Sequence, residues 1–298
     1  MNKPKEKKKN NITIFATYWN EKFWVKPSLE QIKKLNSKEV IICDGCFDPE
    51  VPNYSTDSTR EIIEKFVSEN ENVLMVSALR PGYIKSLWLL LRGHKHLPWW
   101  TIFRPTRWKF LIKSAFMSSY RRNQAITFNQ MISLSKEWEE GGWFMNYDAD
   151  QFYSDRMLKK IKKIINDESN NYGLITGREL TFFGGFNQFT EKYEERVYNN
   201  MPHRIYGDTI IQPTRGIMRE AESRTFFGSL RKVWSRHLYL HNVSNVDAGF
   251  YYHYKFNDPE RFKAGYKLGD REEPESKRKE TKKFTGNHPE IIEEYFNL

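Results

Sequence analysis

Polar residues that could perform chemistry stand at the ends of three apolar runs in the sequence. The first run ends in Thr17 to Glu21 (TYWNE), the second in Asp44, and a later run, WFMNY, in Asp148-Ala149-Asp150. Two carboxylates separated by one residue at a strand end point into the same crevice. Their hard oxygen atoms suit Mg²⁺ or Mn²⁺, and such a cation would offset the charge that grows on a leaving diphosphate. Asp44 could accept hydrogen bonds from a base or a ribose hydroxyl.

The elements that must position these residues alternate between strands and helices. Predicted strands cover residues 11–17, 39–43, 72–78 and 143–147, and predicted helices cover 27–36, 57–68, 123–140 and the segment MLKKIKKII. Asp57 or Ser58 can cap the second helix, and Ser154 or Asp155 can cap the last one. This alternation predicts right-handed βαβ units and a mostly parallel sheet. Ligands bind outside the carboxyl ends of parallel strands, so the polar residues should converge on one edge.

The later part of the chain has a less regular pattern. Short β-like runs (YGLITG, RELTFFG, DTIIQP and HLYLH) follow residue 170, with an acidic helix predicted near 191–200. The predicted fold class is therefore α/β, a Rossmann-like and mostly parallel sheet with flanking helices and a less regular C-terminal region. The expected organisation is a basic tail (1–10), a first half (11–165) with a basic Trp-rich insertion at about 80–120, a second half (166–270) and a loose charged tail (271–298).

The positive charge of the chain is concentrated in one segment. The 298 residues hold 48 Lys and Arg against 38 Asp and Glu, a net charge of +10. Residues 80–122 hold ten Lys and Arg and no acid, together with Trp88, Trp99, Trp100 and Trp108. Basic and aromatic residues in combination suit an anionic membrane interface or single-stranded nucleic acid stacked on aromatic rings. The alternatives are a solvated charged face and a helical hairpin whose Trp side chains belong to the core.

Composition and cysteine use exclude several classes of protein. Aromatic residues make up 15% of the chain, which argues against wholesale disorder. The two cysteines, Cys43 and Cys46, cannot staple a secreted disulfide scaffold, and without a second pair we expect neither zinc binding nor redox chemistry. The Lys-rich start lacks the apolar segment of a secretory signal, and no apolar run approaches the ~20 residues of a membrane span. These features predict a cytoplasmic protein.

Five motifs, in order, give the sequence a specific resemblance. TYWNE, ICDG, STDSTREI, RRNQA and MNYDADQ resemble the GT-A glycosyltransferases, in particular the family 2-like enzymes that use nucleotide sugars. Ser58 stands where that family usually has Gly in its turn, and Asp44-Gly45-Cys46 replaces the usual Asp-Asp-Gly-Ser. The match covers roughly residues 11–160, with the basic segment as an insertion. It implies a metal-dependent, inverting transfer of sugar from a nucleotide-sugar donor to a glycan or lipid-linked acceptor.

The resemblance also implies roles for individual residues. Those implied to bind the donor are Thr17, Asn20 and Asp44 on the nucleotide, Arg122 on the diphosphate side and Asp148 on the sugar or ribose. Asp150 would bind Mn²⁺ or Mg²⁺, with His253 of a later His-Tyr element as second ligand. Inversion needs a base on the acceptor hydroxyl, which should be a carboxylate of the second half. Asp247 is the favoured candidate, and the others are Glu220, Glu222 and Glu179.

Each assignment has a purely structural alternative. Asp148 or Asp150 could cap the next helix, His253 could be a structural histidine, and Arg122 could pair with a surface acid. The chain as a whole could instead be a non-catalytic basic and aromatic module that binds nucleic acid or an anionic membrane. The acidic groups at the strand ends would repel phosphate without a cation, which disfavours nucleic acid as the partner. The preferred interpretation is an enzyme that makes peripheral contact with the inner face of an anionic membrane.

Overall fold

Four parallel strands form the centre of the sheet. The computed structural model describes residues 12–93, 99–103, 105, 108, 111–112, 115–116, 118–137, 143–167, 172–183, 185–192, 209–213, 244–256 and 282–298. In it, β1 (Ile12–Tyr18), β2 (Glu39–Asp44), β3 (Val73–Ser77) and β4 (Trp143–Asp148) pair in the order β3-β2-β1-β4, all parallel. This arrangement confirms the predicted α/β class with a Rossmann-like parallel sheet.

Helices cover both faces of the parallel strands. The helices of the described residues are α1 (Val25–Leu35), α2 (Thr59–Glu69), α3 (Tyr83–Arg92), α4 (Ser119–Leu134), α5 (Asp155–Asn166) and α6 (Glu290–Phe296), with a 3₁₀ turn at Trp99–Phe103. None of these described helices combines the length and the hydrophobicity that a membrane crossing requires. The first two and α5 begin within two residues of their predicted starts, because caps and apolar spacing mark them clearly.

The α5 helix shows how local sequence sets an element. Its buried residues recur every three or four positions and form one apolar face: Met157, Leu158, Ile161, Ile164 and Ile165. Ser154 caps the first turn, because its Oγ accepts a hydrogen bond from the N–H of Met157 at 3.2 Å. Of the two predicted caps, the structure therefore selects Ser154.

The α4 helix differs from the prediction at both ends. It runs from Ser119 to Leu134 instead of over 123–140, and the predicted stop at Gly141-Gly142 lies outside the described residues. The helix ends early because the Glu39 carboxylate accepts hydrogen bonds from the Ser135 hydroxyl and from the Lys136 N–H, the latter at 3.0 Å. Its periodicity is weak because it is buried on two sides, between the sheet and α3.

Beyond β4 the sheet becomes mixed. The additional strands are β5 (Gln151–Phe152), β6 (Tyr172–Phe183), β7 (Gln188–Lys192), β8 (Thr209–Pro213), β9 (Ser244–Phe256) and β10 (Lys282–Lys283). They extend the order to β10-β7-β6-β8-β4-β1-β2-β3, and β9 pairs with β5 and in parallel with β6. The predicted runs YGLITG and RELTFFG are thus one strand. The acidic helix predicted over 191–200 is wrong at its start, which belongs to β7, and its remainder and HLYLH lie outside the described residues.

Alternate residues of β1 face two different apolar clusters. Ile14 and Ala16 pack into the cluster that contains α1 and α5, whereas Phe15 packs with Ile41 and Phe144 into the cluster under α4. Burial on both faces is typical of a parallel strand between two layers of helices. The polar groups at the end of β1 therefore follow a strand that is covered on both faces.

The end of the chain is folded, contrary to the loose tail predicted for 271–298. β10 pairs with β7, and α6 buries Ile291 and Ile292 in a third cluster of mostly aromatic side chains. In this cluster the ring of Tyr254 lies 5.2 Å from that of Trp24, and its hydroxyl is 2.8 Å from Nδ1 of His288. The prediction is wrong for residues 282–298 because a charged stretch precedes them and the short helix, EIIEEYF, has only a few apolar residues to mark it. Residues 271–281 lie outside the described part.

Candidate functional site

Asp148 and Thr17 meet at the carboxyl edge of the parallel strands. The β1–β4 register sets Thr17 beside Asp148, and the Thr17 hydroxyl donates a hydrogen bond to Asp148 Oδ1 at 3.3 Å. The amide of Gln151 donates to the other oxygen, Oδ2, at 3.2 Å. Two predicted donor-binding residues are therefore in direct contact, as expected for neighbouring parallel strands.

The backbone that follows the acidic turn is held by α1. The buried Gln31 donates from Nε2 to the carbonyl of Tyr153 at 3.0 Å, and its Oε1 accepts from the Tyr153 N–H at 3.1 Å. The hydroxyl of Tyr147 donates to the same oxygen at 3.0 Å. These bonds satisfy a buried amide and fix the chain on either side of Asp148 to Asp150.

Asp150 faces His253, which comes from a distant part of the chain. The β5–β9 pairing sets Gln151 opposite His253, and the Tyr254 N–H donates to the Asp150 carbonyl at 2.9 Å. This register places Nε2 of His253 3.3 Å from Oδ1 of Asp150. Both side chains are largely buried, with 14% of His253 and 9% of Asp150 exposed. The structure thus brings together the two residues that the resemblance assigns to a metal ion.

Glu179 holds the other nitrogen of His253. Its Oε1 lies 2.9 Å from Nδ1 of His253, and its Oε2 accepts a hydrogen bond from the Tyr251 hydroxyl at 3.0 Å. The Thr181 hydroxyl also donates to Oε1, at 2.5 Å. Burial lowers the pKa of His253, but Asp150 and Glu179 together outweigh burial and raise that pKa to about 10. In the absence of a cation, His253 is therefore an imidazolium between two carboxylates.

The spacing of Asp150 and His253 also fits two ligands of one cation. Ligands that are ~2.1 Å from an ion and at right angles to each other lie ~3.0 Å apart, close to the observed 3.3 Å. Glu179 on the far nitrogen would orient the ring, as carboxylates do behind metal-bound histidines. Among the described residues, no group of three or more His, Cys, Asp and Glu side chains is arranged to hold a metal ion. Mg²⁺ at phosphate sites commonly uses one or two protein side chains and completes its shell with phosphate oxygens and water.

The TYWNE and STDST segments interlock at the same edge of the sheet. Asn20, with φ of 51°, donates its N–H to Ser55 Oγ at 2.9 Å and accepts from the Thr56 N–H at 2.8 Å. The next two N–H groups, of Glu21 and Lys22, donate to Thr59 Oγ1 at 2.7 Å and to Asp57 Oδ2 at 3.2 Å. The side chain of Asn20, predicted to bind a nucleotide, thus supports the loop that would surround one.

Asp44 is a buried anchor of this loop. Its carboxylate has no exposed area and accepts bonds from the Ser55 N–H at 3.1 Å and the Ser55 hydroxyl at 2.5 Å, with Arg60 at 3.4 Å. Burial raises its pKa, which the bonds from Ser55 and the charge of Arg60 partly counter. The direct nucleotide contact implied by the resemblance does not fit this burial, because Ser55 occupies the carboxylate.

Gly45, next to Asp44, is required by its surroundings. Its φ of 151° is unfavourable for other residues, and an added Cβ would lie 2.1 Å from the carbonyl oxygen of Asn53. The nearby Cys43 and Cys46 are free and buried, and burial raises the pKa of both thiols. The turn after β2 is therefore closely packed rather than an open, reactive loop.

Arg122 stands at the start of α4, on the carboxyl side of the sheet. Its guanidinium lies over the ring of Tyr83, with 4.8 Å from Cζ to the ring centroid. The neighbouring Asn123 donates to the Phe47 carbonyl, in the loop after β2, at 2.8 Å. Arg122 is therefore in contact with an aromatic ring close to the loop that follows β2.

The predicted catalytic bases fall largely outside the described residues. The backbone of Asp247 lies in β9 opposite Thr176, but its side chain is outside the described part. Glu220 and Glu222 lie in the segment 214–243, also outside it. Sequence reasoning missed Gln151, Thr181 and Tyr251, and it named Glu179 only as a further candidate for the base, not as a partner of His253. A signal for these contacts was available in the spacing of the residues. Glu179 and Thr181 are two residues apart, as are Tyr251 and His253, and this spacing puts each pair on one face of its strand.

We compared the sequence with protein-family models and with curated proteins. The chain matches no protein-family model and no curated protein. The chemistry of the site is therefore inferred from its own residues: three carboxylates, one histidine and the hydrogen-bonding groups of Thr17 and Gln151 at a parallel-sheet edge.

Proposed function

We propose that the protein is a metal-dependent glycosyltransferase of the GT-A type, which moves a sugar from a nucleotide-sugar donor to a glycan or lipid-linked acceptor with inversion. One observation carries the proposal. Asp150, from the turn after β4, and His253, from β9, meet 3.3 Å apart beside the Thr17–Asp148 contact. An oxygen and a nitrogen ligand at the carboxyl edge of a parallel sheet are suited to a divalent cation and the diphosphate bound to it.

Asp150 and His253 would hold Mn²⁺ or Mg²⁺ in this enzyme, with Asp148 close by. The cation supplies charge neutralisation to the diphosphate as it leaves the sugar. Binding it requires the Nε2 atom of His253 to be free of its proton, because only the unprotonated nitrogen can be a ligand. Glu179 keeps the ring oriented by accepting from Nδ1, 2.9 Å away.

Other side chains of the site would position the donor. Thr17 and Gln151 hold both oxygens of Asp148 and so fix the direction in which this carboxylate meets a sugar or ribose hydroxyl. Arg122 offers a guanidinium for the diphosphate, since planar N–H groups match phosphate oxygens. Asp44 would not contact the donor itself but would hold the surrounding loop in place through its hydrogen bond with Ser55.

The acceptor needs a base for inversion, and Asp247 and Glu220 remain the proposed carboxylates. Glu179 is less suited to this role, because the Tyr251 and Thr181 hydroxyls and His253 already engage both of its oxygens. A base must reach the acceptor hydroxyl within hydrogen-bond distance. We therefore assign Glu179 to positioning.

Nucleotide binding with and without metal tests the proposal. We expect the purified protein to bind UDP or GDP more tightly with Mn²⁺ than with a chelator, measured by calorimetry. Asp150→Asn should remove this metal-dependent gain, on the order of tenfold or more in affinity. Asp155→Asn is the matched control, because Asp155 is a half-exposed partner of Lys34 at 3.2 Å on α5. The proposal would be overturned if the affinity for the nucleotide were the same with and without Mn²⁺ and the same in Asp150→Asn as in the wild type.

A further inference from the structure

Exposed apolar side chains are concentrated on α3 and the segment after it. Of the thirteen large apolar side chains exposed in the described part of the chain, eight lie between residues 83 and 116. They are Tyr83, Ile84, Trp88, Trp99, Phe103, Trp108, Ile112 and Phe116, called here the apolar-basic surface. Single exposed apolar residues are ordinary, but such a concentration marks an interaction site.

The α3 helix carries both buried and exposed apolar residues. Ser86 and Leu90 are buried on one side, and Leu90 packs with Ala125 and Ile126 of α4. Ile84, 77% exposed, and Trp88, 56% exposed, lie one helical turn apart on the other side, where the next turn ends in the buried Leu91. Ile84 and Trp88 are therefore additional to the residues that attach the helix to the protein.

The segment after α3 repeats this pattern. Trp99 and Phe103 are 78% and 70% exposed and form an edge-to-face pair with 5.9 Å between ring centroids. Trp108, Ile112 and Phe116 follow at four-residue spacing and are also exposed. The Tyr83 hydroxyl donates to the Ala115 carbonyl at 3.1 Å, which ties the end of this segment to α3. The interpretation of the insertion's Trp side chains as core is therefore wrong for Trp88, Trp99 and Trp108.

The sequence that contains these side chains carries charge of a single sign. Residues 72–136 contain no Asp or Glu, and ten Lys and Arg lie in 80–122. Lys85 and Arg92 are exposed on α3 itself. We infer that the apolar-basic surface binds the face of an anionic lipid membrane, with Trp, Phe and Ile side chains entering the interface and Lys and Arg meeting the lipid phosphates.

Aliphatic side chains favour a membrane over single-stranded nucleic acid as the partner. Nucleic-acid surfaces use basic residues with aromatic rings on which bases stack. Ile84 and Ile112, 77% and 60% exposed, have no ring to stack on and gain free energy only by leaving water. The surface also begins at Tyr83, under Arg122, so a bound membrane would lie near the carboxyl edge of the sheet.

Vesicle binding tests this inference without nucleotide, metal or acceptor, so its failure would leave the proposed function untouched. We expect co-sedimentation with phosphatidylcholine vesicles that contain phosphatidylglycerol, little with phosphatidylcholine alone, and weaker binding at high salt. Ile84→Ser with Trp88→Ser should weaken binding on the order of tenfold. The matched control is Leu74→Ser with Leu298→Ser, which changes side chains of 43% and 53% exposure elsewhere and should bind as the wild type does.

Three results of the vesicle experiment would overturn the inference. The first is absence of binding to the anionic vesicles at low salt, and the second is equal loss in the control variant. The third is a single-stranded oligonucleotide bound more tightly than the vesicles, with the same dependence on Ile84 and Trp88.

A second measurement avoids polar substitutions. Brominated lipids should quench the Trp fluorescence of the wild type, and they should quench that of the variant Trp88→Phe with Trp99→Phe less. Undiminished quenching in this variant would also count against the inference.

Discussion

His253 is the residue on which the proposed chemistry of the site depends. It lies between Asp150 and Glu179, and Asp148 is close by, so three carboxylates share one edge of the sheet. Without a cation, the raised pKa of His253 lets an imidazolium offset one of these charges. A divalent cation on the Asp150 side would displace the Nε2 proton and would offset two of the carboxylate charges. Under the proposed function, the negative charge of the three carboxylates would attract a divalent cation, which has to compete with the Nε2 proton of His253.

Glu179 should control the affinity for Mn²⁺ through the orientation of His253. We expect Glu179→Gln to weaken Mn²⁺ binding about tenfold to a hundredfold, because the charged partner behind the imidazole is lost. Tyr251→Phe is the control: it removes one hydrogen bond to Glu179 but keeps its charge, and its effect should be smaller. Calorimetric titration with Mn²⁺ measures both, alongside the thermal unfolding temperature.

A purely structural role for Glu179 gives a different result. In that case Glu179→Gln would lower the unfolding temperature and leave the Mn²⁺ affinity of the folded protein as it is in the wild type. Unchanged affinity in that variant would contradict the positioning role.

At the residue scale, sequence patterns located the acids, and the resemblance named His253 beside Asp150, but the contacts of Glu179 with His253 and of Ser55 with Asp44 were not predicted. Asp148 and Asp150 follow an apolar run directly, so their place at a strand end is local information. The contacts of His253 with Asp150 and Glu179 depend on β9 pairing with both β5 and β6. Such pairing joins segments far apart in the chain, and local spacing does not specify it. Asp44 was placed correctly at the end of β2, but the Ser55 contact that buries it could not be read from the motif.

At the scale of elements, the α6 helix has no clear local signal in the sequence. The helix has only seven residues, too few to show a clear period, and it follows a highly charged stretch. Its apolar residues nevertheless complete the cluster of Trp24, Phe182 and Tyr254 beneath β9. Because β9 carries His253 on its other face, α6 supports the site from behind.

Ile292→Ala should therefore destabilise the protein substantially. Ile292 has no exposed area, and removing such a side chain costs about 2–5 kcal/mol of unfolding free energy. Ile84→Ala is the matched control, since Ile84 is 77% exposed and should change the unfolding free energy by less than ~0.5 kcal/mol. Urea unfolding measures both variants. Equal stability of Ile292→Ala and the wild type would mean that α6 is not docked in solution.

The elements of the first half were predictable because their signals are local. Strands β1 to β4 and helices α1, α2 and α5 have apolar runs, caps or clear amphipathic spacing. The α4 helix was predicted too, but its bounds were not, since burial on two sides weakens its period and Glu39 ends it from outside the helix. Mixed strand order beyond β4 likewise depends on tertiary contacts.

In the whole molecule, the candidate site lies where the parallel part and the mixed part of one sheet meet. The parallel strands supply Thr17 and Asp148, and the mixed part supplies Glu179 and His253, with Asp150 in the turn between β4 and β5. The apolar-basic surface begins beside the same edge, through the contact of Tyr83 with Arg122. If both proposals hold, the protein would bind a soluble donor at this edge and meet its acceptor at a membrane beside it.

Crystals soaked with Mn²⁺ and UDP would test the central claim most directly, through anomalous diffraction from the manganese. The account predicts an anomalous peak within bonding distance of Asp150 and of Nε2 of His253, with diphosphate oxygens on its open side and Glu179 still bonded to Nδ1. A manganese ion bound elsewhere, with the Asp150–His253 ion pair unbroken beside a bound nucleotide, would contradict it.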